Sequence, residues 1–529
     1  MDTLIRGGML VDGTGTPPRA ADLAIEDGRV RLLDAGAMAE AAGTTIDATG
    51  LVVAPGFIDL HSHSGLVLLA DGGHEPKIRQ GVTTEVVGID GLSYAPFARK
   101  QDLDDLVWMN AGLDGSPPGL ATDWSTAASY LDRFDGRIAL NVALMVGNTP
   151  LRINALGWDD VPADDAAVAN MRAQLREAME EGAFGVSSGL DYPPGAYATT
   201  EELAALANEA AKLGGFYHTH VRYALGDRYL DPFREAIEIG RRGEAPSHIT
   251  HFYHRLTFPG GPEPMLGLID DARAAGLDAT FDSYPYEWAS TRLLILVPIR
   301  FLEGGPRATK ERLADHAVRE AMREEMRQRG QLFAGKGGLA DVRIGAFTRP
   351  EHRRWEGLTL GDVMDETGVD AVDAICHLLL AEDLQVNEVT PGPHTDGIRR
   401  FYQHPVAMIG TDSTFVGDKP SPRTYGSYPR ILGQFVRDEG VLSLEDAVRR
   451  MTGAPAARLG LRDRGVLRDG AVADITVFDA ARVRANATYD EPRQFPDGIV
   501  HVLVAGTAVV RDGQPTGARP GRSLRRGRD

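Results

Sequence analysis

The amino-acid sequence predicts an α/β protein built around a closed (β/α)8 barrel. Between residues 56 and 460, short apolar runs with strand character alternate with amphipathic helical stretches, as where 200–214 precedes 215–221. Repeated βα units indicate a parallel sheet, and their number over about 400 residues favours a closed barrel. The chain has 529 residues, of which 43% are hydrophobic, and this is enough to bury a core of that size.

The two ends of the chain differ in pattern from the middle. Residues 1–55 and 461–529 contain short alternating runs separated by glycine turns, which is typical of small antiparallel sheets. We expect both ends to form one β-sandwich outside a barrel of residues 56–460. A charged, helical stretch at about 290–350 is predicted to be an insertion subdomain. The last residues form a basic tail, which we interpret as a solvated arm.

Charge and cysteine content exclude several classes of partner and site. The chain has 56 basic and 75 acidic residues, a net charge of −19, which argues against general binding to nucleic acids or anionic membranes. The single cysteine, Cys376, rules out an intramolecular disulfide and a cysteine-rich metal site. Because no signal peptide and no apolar run of about 18 residues is present, we expect a cytoplasmic protein. A homo-oligomer is left open.

The strongest local signal is PGFIDLHSHSG at residues 55–65. FIDL reads as a strand, and His61 and His63 follow it. Positions i and i+2 of a strand point to the same side, so both imidazoles can reach one metal ion. Neutral imidazole is a good ligand for zinc and similar ions. An isolated pair of this kind also occurs by chance, so the interpretation depends on further residues.

Three further polar residues end apolar runs elsewhere in the chain. His220 closes GFYHTH, His251 closes SHITH and Asp412 closes VAMIGTD. The C-terminal ends of parallel barrel strands converge on one face, where active sites are built. We therefore expect these residues to meet His61 and His63 at that face, where together they would hold one or two metal ions.

Two adjacent metal ions need a bridging anion, and Asp90 is the candidate. A carboxylated lysine does this in some barrel hydrolases, but no lysine lies between 101 and 211, and Lys77 lies in a helical-looking segment. Asp90 follows the apolar strand at 82–89, where a carboxylate can bridge two cations or bind one. A simple Asp-Gly turn is the alternative, and the residues alone leave both interpretations open.

Together these side chains predict metal-assisted hydrolysis of an amide, ester or related bond. A metal lowers the pKa of water toward about 7 and polarises a carbonyl, so a metal-activated hydroxide is the expected nucleophile. Asp412 can bind the metal, and it can also accept a proton from the attacking water and pass it to the leaving group. It is therefore the predicted catalytic residue.

With these residues in place, the chain resembles the amidohydrolase superfamily and, within it, the D-aminoacylase (N-acyl-D-amino-acid deacylase) family, as a divergent member. The resemblance runs over nearly the whole length. It is carried by an ordered set of segments that includes APGFIDLHSHS, IRQGVTTEVVG, SSGLDYPPGAYA, THVR, ITH, DSYPYEWAST, IGTDS and PRTYGSYPRILGQFVR.

This resemblance implies a distorted TIM barrel with a β-sandwich from both termini, and zinc at one or two sites. It places His61, His63 and Asp412 at one site and His220 and His251 at the other, with Asp412 as the catalytic aspartate. It also implies contacts with the substrate carboxylate. The candidate substrate-binding residues are Tyr192, Tyr253, Tyr284, Ser290, Arg292 and Arg423.

Two departures from the family pattern are informative. Family members usually have a cysteine where this chain has Asp90, and a harder oxygen ligand should make the site more tolerant of Mn2+ or Co2+. They often have a lysine for the substrate carboxylate where this chain has Tyr253. Arg292 is a candidate to supply the missing charge, and a surface arginine is the alternative.

The sequence thus predicts a zinc-dependent hydrolase that cleaves the amide bond of an N-acyl-D-amino acid or a related N-acyl amine. A first alternative is the same machinery acting on a cyclic amide, imide or lactone. A second is a non-catalytic scaffold on the same fold, although every ligand position holds a competent residue. The acyl chain and the preference for D or L substrates are left open.

Overall fold

Eight parallel strands form the central barrel of the protein. The computed structural model describes residues 1–36, 42–223, 228–255, 260–329, 338–390, 392 and 396–529. Within these residues the barrel strands are β1 (Phe57–Asp59), β2 (Val82–Val87), β3 (Asn141–Leu144 with Val146–Gly147), β4 (Gly185–Gly189), β5 (Phe216–His220), β6 (Ser247–Ile249), β7 (Ala279–Ser283) and β8 (Ala407–Ile409). Each pairs in parallel with the next along the chain. The predicted (β/α)8 barrel is confirmed.

The barrel closes where the last strand meets the first. Just beyond the ends of β8 and β1, Ser413 and Ser62 form a parallel bridge, and the Asp412 N–H donates to the His61 carbonyl at 2.8 Å. We call this contact the closing seam. Two of the predicted metal ligands therefore lie in the backbone pairing that completes the barrel.

Amphipathic helices cover the outer face of the barrel strands, and strand side chains fill the interior, which is why β2 is buried at every position. Helix Asp165–Glu180 begins at Asp164, whose carboxylate accepts from the Ala167 N–H at 2.8 Å. The helices packed around the barrel are Val67–Ala70, Glu75–Ile78, Lys100–Met109, Ala111–Asp114, Ala127–Leu131, Asn148–Leu156, Asp165–Glu180, Thr200–Lys212, Asp231–Gly243, Glu263–Ala274, Gly397–Gln403, Arg423–Arg430 with its π-helical continuation Ile431–Asp438, Leu444–Met451 and Gly453–Leu459. No helix in the described ranges is both long and apolar enough to cross a membrane.

Strands from both termini lie in one sheet beside the barrel. Val52–Pro55 pairs with Met9–Leu10 on one side and with Ile475–Phe478 on the other. A second sheet packs against it through a shared apolar core. The strands of the two sheets are Thr3–Arg6, Met9–Leu10, Arg19–Ala20, Asp22–Glu26, Arg29–Leu33, Thr44–Asp47, Val52–Pro55, Ile475–Phe478, Ile499–Val504, Thr507–Arg511 and Gln514–Pro515.

The insertion after β7 is larger than the stretch 290–350 that the sequence indicates. Its three-stranded antiparallel sheet consists of Ala289–Arg292, Asn387–Thr390 and Arg343–Ala346, with Asn387–Thr390 in the middle. Because the middle strand comes last in the chain, the subdomain extends to Thr390. Its helices are Gly305–Ala314, His316–Gln328, Leu360–Thr367 and Ala371–Ala381, and they share a core that buries Cys376.

The expectation of a solvated C-terminal arm is wrong. Gly521 and Ser523 form backbone bridges with Ile138 and Val142 of the barrel. Leu524 is fully buried in an apolar cluster with residues of β1, β2, β3, β5 and β8. The basic side chains of the tail concealed this from sequence reasoning, because they suggest a solvated segment. In the structure Arg525 donates to the Glu181 carbonyl at 3.1 Å and the Ser523 hydroxyl to Asp135 at 2.8 Å.

Lys77 lies in a buried ion network beneath the closing seam, which leads to a stability prediction. Its ammonium contacts Asp59, lies 2.9 Å from Glu85 and donates to the Thr411 hydroxyl at 2.6 Å. Lys77→Met would leave two buried carboxylates without their cation, so we expect a loss of about 3–5 kcal/mol in the free energy of unfolding.

Urea denaturation of purified protein measures this loss. Lys100→Met is the matched control, because Lys100 pairs with Asp104 on the exposed face of a helix and should contribute at most about 1 kcal/mol. Equal stability of the two variants would show that the buried network does not stabilise the fold.

Candidate metal centre and substrate cavity

Six side chains predicted as metal ligands lie together at the C-terminal ends of the barrel strands. They form two groups that share one member, and in each group the candidate ligand atoms lie within 4.8 Å of one another. The first group is His61, His63, Asp90 and Asp412, and the second is Asp90, His220 and His251. All six side chains are buried. The order of strands around the barrel brings these distant positions together.

Asp90 is the shared member, and one of its oxygens faces four imidazoles. Its Oδ2 lies 3.3 Å from His61 Nε2, 3.7 Å from His63 Nε2, 3.6 Å from His220 Nδ1 and 3.7 Å from His251 Nε2. Asp90 therefore occupies the position expected of an anion between two cations.

The donor set fits a zinc-type ion. Neither ring nitrogen of His61 has a hydrogen-bond partner among the described residues, although the side chain is fully buried. An unsatisfied buried polar group is costly unless a ligand completes it. Imidazole nitrogens and carboxylate oxygens are the ligands that zinc takes in cysteine-free sites, and manganese and cobalt also accept them.

The backbone at this centre adopts conformations that non-glycine residues rarely take. Asp90 has φ of 52°, His251 of 32° and Asp412 of 50°, all in the left-handed region. Gly189, in β4, lies so close to Asp90 that a Cβ there would overlap the Asp90 carbonyl oxygen. Strained backbone of this kind persists where the surrounding structure holds it, and it is concentrated at functional sites.

Mutual proximity controls the ionisation of these groups. Burial alone would lower the pKa of His61, but Asp90 and Asp412 raise it well above its ordinary value. Burial would raise the pKa of Asp412, yet Arg423 and His61 lower it to about 2. The pKa of Asp90 lies well below its ordinary value, because His61 and the other histidines outweigh its burial. Both carboxylates are therefore ionised at neutral pH.

Each of the four histidines has a neighbour at the ring nitrogen that faces away from Asp90. Asp114 Oδ1 lies 2.7 Å from His63 Nδ1, and Asp191 Oδ2 lies 3.1 Å from His220 Nε2. The Tyr223 hydroxyl lies 3.2 Å from His251 Nδ1, and Asp282 Oδ2 lies 3.6 Å from His61 Nδ1. Such partners orient metal-binding imidazoles.

Sequence reasoning missed these four outer residues. Asp191 and Asp282 lie inside segments that it singled out, SSGLDYPPGAYA and DSYPYEWAST, but nothing in the pattern distinguishes them. Asp114 ends a short helix 51 residues beyond its partner His63 and gives no local signal.

Asp114→Asn is predicted to weaken zinc binding by about 10- to 100-fold, the usual cost of losing such an outer carboxylate. The amide would still hydrogen-bond to His63 but would not stabilise the imidazole electrostatically. Competition with a chromophoric chelator measures the affinity. Asp104→Asn, at an exposed aspartate on the neighbouring helix, is the control, and equal affinities in the two variants would contradict the assigned role.

A cavity of about 280 Å3 opens beside the metal centre. Four of the six predicted substrate-binding residues line it, namely Tyr192, Tyr253, Tyr284 and Ser290. Asp90, His220, His251 and Asp412 form its floor, and the run Ile295, Leu296, Val297, Pro298 and Ile299 forms an apolar wall. The insertion subdomain thus closes one side of the cavity.

The other two predicted substrate contacts, Arg292 and Arg423, are not among the residues that line the cavity. Arg292 is buried and donates to the Met109 carbonyl at 2.8 Å, which satisfies the C-terminal end of a helix. It does not supply a charge to the cavity. Arg423 Nη1 lies 2.9 Å from Asp412 Oδ2, and its Nη2 donates to the Ser290 carbonyl at 2.8 Å. Arg423 therefore positions Asp412.

The family match and the similar proteins agree on the family to which this sequence is related. The model of the amidohydrolase family matches residues 44–510. An N-acyl-D-glutamate deacylase from Alcaligenes xylosoxydans xylosoxydans is 36% identical, with 99% of this chain and 97% of that protein covered. A D-aminoacylase from the same organism is 35% identical, with coverage of 99% and 98%.

Solved structures agree with these relatives. The crystal structure of an N-acyl-D-glutamate deacylase from Bordetella bronchiseptica, complexed with zinc and a phosphonate inhibitor that mimics the tetrahedral intermediate, has a TM-score of 0.83 and 33% identity over 99% of each chain. A D-aminoacylase crystal structure has a TM-score of 0.82 and 31% identity, with 99% of this chain and all of that chain covered.

Proposed function

The chain belongs to the amidohydrolase family and is a hydrolase of amide C–N bonds, and we propose that its substrates are N-acyl-D-amino acids and its cofactor is zinc. The observation that carries this proposal is the position of the Asp90 carboxylate. It belongs to both groups of candidate metal ligands, and it lies at the floor of the cavity. Relatives with N-acyl-D-amino acid substrates in their names cover almost the whole chain.

The proposed mechanism assigns a role to each part of the centre. His61, His63, Asp90 and Asp412 would hold one ion, and Asp90, His220 and His251 a second. When bound, zinc supplies Lewis-acid polarisation of a carbonyl and makes water more acidic. Arg423 holds Asp412 ionised and oriented, so that it accepts the proton of the attacking water. Asp412 then delivers that proton to the amine nitrogen as the C–N bond breaks, which gives a carboxylate and an amino acid.

The cavity supports apolar amino acids as the preferred substrates. Its wall from Ile295 to Ile299 is apolar and suits an aliphatic side chain or acyl group. Asp191 also lines it, and this acid disfavours a second carboxylate on the substrate. We therefore propose N-acyl derivatives of apolar D-amino acids in preference to those of D-glutamate or D-aspartate.

A substrate panel tests the function. Zinc-loaded enzyme is assayed with the D and L forms of N-acetyl-leucine, with N-acetyl-D-glutamate, and with dihydroorotate and hydantoin as cyclic amides. The expected result is hydrolysis of N-acetyl-D-leucine with the highest kcat/KM, and parallel assays with manganese and cobalt identify the most effective metal. Activity on the rings alone would overturn the proposal.

A further inference from the structure

We propose that Arg255 binds the α-carboxylate of the substrate and so selects N-acyl amino acids over simple N-acyl amines. This inference rests on the proposed function, because it assumes that the substrate carries a carboxylate near the scissile amide. It assigns a specificity-determining role to a residue that the sequence pattern did not single out.

The position of Arg255 is the first argument. Arg255 lines the cavity, and its Nη2 donates to the Tyr253 hydroxyl at 2.8 Å. Its guanidinium lies 5.0 Å from the centre of the Tyr223 ring, which stacks on Tyr253 with ring centres 4.8 Å apart. The Tyr223 hydroxyl in turn contacts the metal-ligand candidate His251. Two packed aromatic rings therefore fix the cation relative to the reacting centre.

The placement of the other cations is the second argument. Among the described residues, the arginines that line the cavity are Arg255 and Arg329. Arg329 pairs with Glu325 at 2.7 Å, and half of its side chain is exposed. Arg292 and Arg423 point to the Met109 carbonyl and to Asp412 respectively. Of these four arginines, Arg255 is the one that both lines the cavity and packs against the tyrosine that contacts His251.

Arg255 remains positively charged next to the acidic groups of the cavity. Burial raises the pKa of Glu388 to about 8, so this carboxyl is mostly neutral at pH 7. Asp191 accepts hydrogen bonds from His220 and from the Tyr223 N–H. Although burial would lower the pKa of Arg255, Tyr253 and Tyr223 raise it above its ordinary value, and the guanidinium stays charged. A planar cation of this kind matches a carboxylate with two parallel hydrogen bonds.

The test compares two substrates that differ only in the carboxylate, N-acetyl-D-leucine and N-(3-methylbutyl)acetamide. For Arg255→Gln we expect KM for the acid to rise about 10- to 100-fold, the contribution of a charge-assisted hydrogen bond, with little change in kcat. The values for the neutral amide should stay within a factor of two. Arg255→Lys keeps the charge and should recover part of the loss. Arg300→Gln, at an exposed arginine of the insertion subdomain, is the matched control.

Calorimetric titration separates this inference from the proposed function. In the zinc-loaded Asp412→Asn background, N-acetyl-D-leucine should bind at least 10-fold more tightly than the neutral amide, and Arg255→Gln should remove that difference. If wild-type enzyme cleaves N-acetyl-D-leucine, but Arg255→Gln still binds this acid more tightly than the neutral amide, the role of Arg255 is overturned and the function stands. If no N-acyl amino acid is cleaved, the function is overturned, and the titration still decides whether Arg255 binds carboxylates.

Discussion

Asp90→Ala is expected to lose bound zinc and to reduce kcat/KM by about a thousandfold or more, because the stabilisation that the ions supply is worth several kcal/mol. One oxygen of this side chain faces a nitrogen of each of four histidines. Without it, two cations would repel each other across an apolar methyl group, and the imidazoles would bind them too weakly. Metal analysis of the purified variant, beside steady-state kinetics, measures both effects.

Two further substitutions make the result specific. Asp90→Cys restores an anionic ligand and should recover zinc binding, because a thiolate is a strong zinc ligand. Asp71→Ala changes another aspartate that precedes a glycine, at an exposed turn, and should leave metal content unaltered. Full metal occupancy and turnover in Asp90→Ala would show that Asp90 only forms a turn and does not bind metal.

Asp412→Asn should lower kcat by about 10²- to 10⁴-fold while the protein keeps most of its zinc, since proton transfer by a positioned side chain contributes that much. The amide oxygen can remain near His61 and His63, but the amide cannot take the proton of the attacking water. The measurement is kcat for N-acetyl-D-leucine with metal content determined on the same sample.

Arg423→Lys provides the comparison for Asp412. Lysine keeps a positive charge beside Asp412 but cannot pair with its Oδ2 and with the Ser290 carbonyl in the same planar geometry. We expect an intermediate loss of kcat at unchanged zinc content. An Asp412→Asn variant with more than a tenth of the wild-type kcat would show that another group carries the proton.

The barrel and the proximity of its candidate metal ligands were largely predictable from the sequence, for a topological reason. Polar residues at the ends of apolar strands must meet in a parallel barrel, so His220, His251 and Asp412 could be joined to the HSH motif without coordinates. Asp90 was ambiguous locally, because an Asp-Gly turn has the same sequence with or without a metal.

The features that sequence reasoning missed depend on contacts between segments that share no sequence pattern. Asp114 reaches His63 from a separate helix, and Arg292 turns toward the end of a helix rather than toward the cavity. The insertion extends to Thr390 because its middle strand is its last in sequence. The C-terminal tail packs through one leucine among basic residues. Such features follow from side-chain direction and strand order, which composition does not encode.

The closing seam has a consequence for how the chain acquires its metal during synthesis. It joins residues about 350 positions apart, so it depends on a long-range loop closure. A growing chain that has already presented His61 and His63 lacks both Asp412 and the backbone pairing that aligns it. The complete first ligand set therefore comes into being only after the last barrel strand has left the ribosome, so tight capture of zinc is a late event that coincides with closure of the barrel.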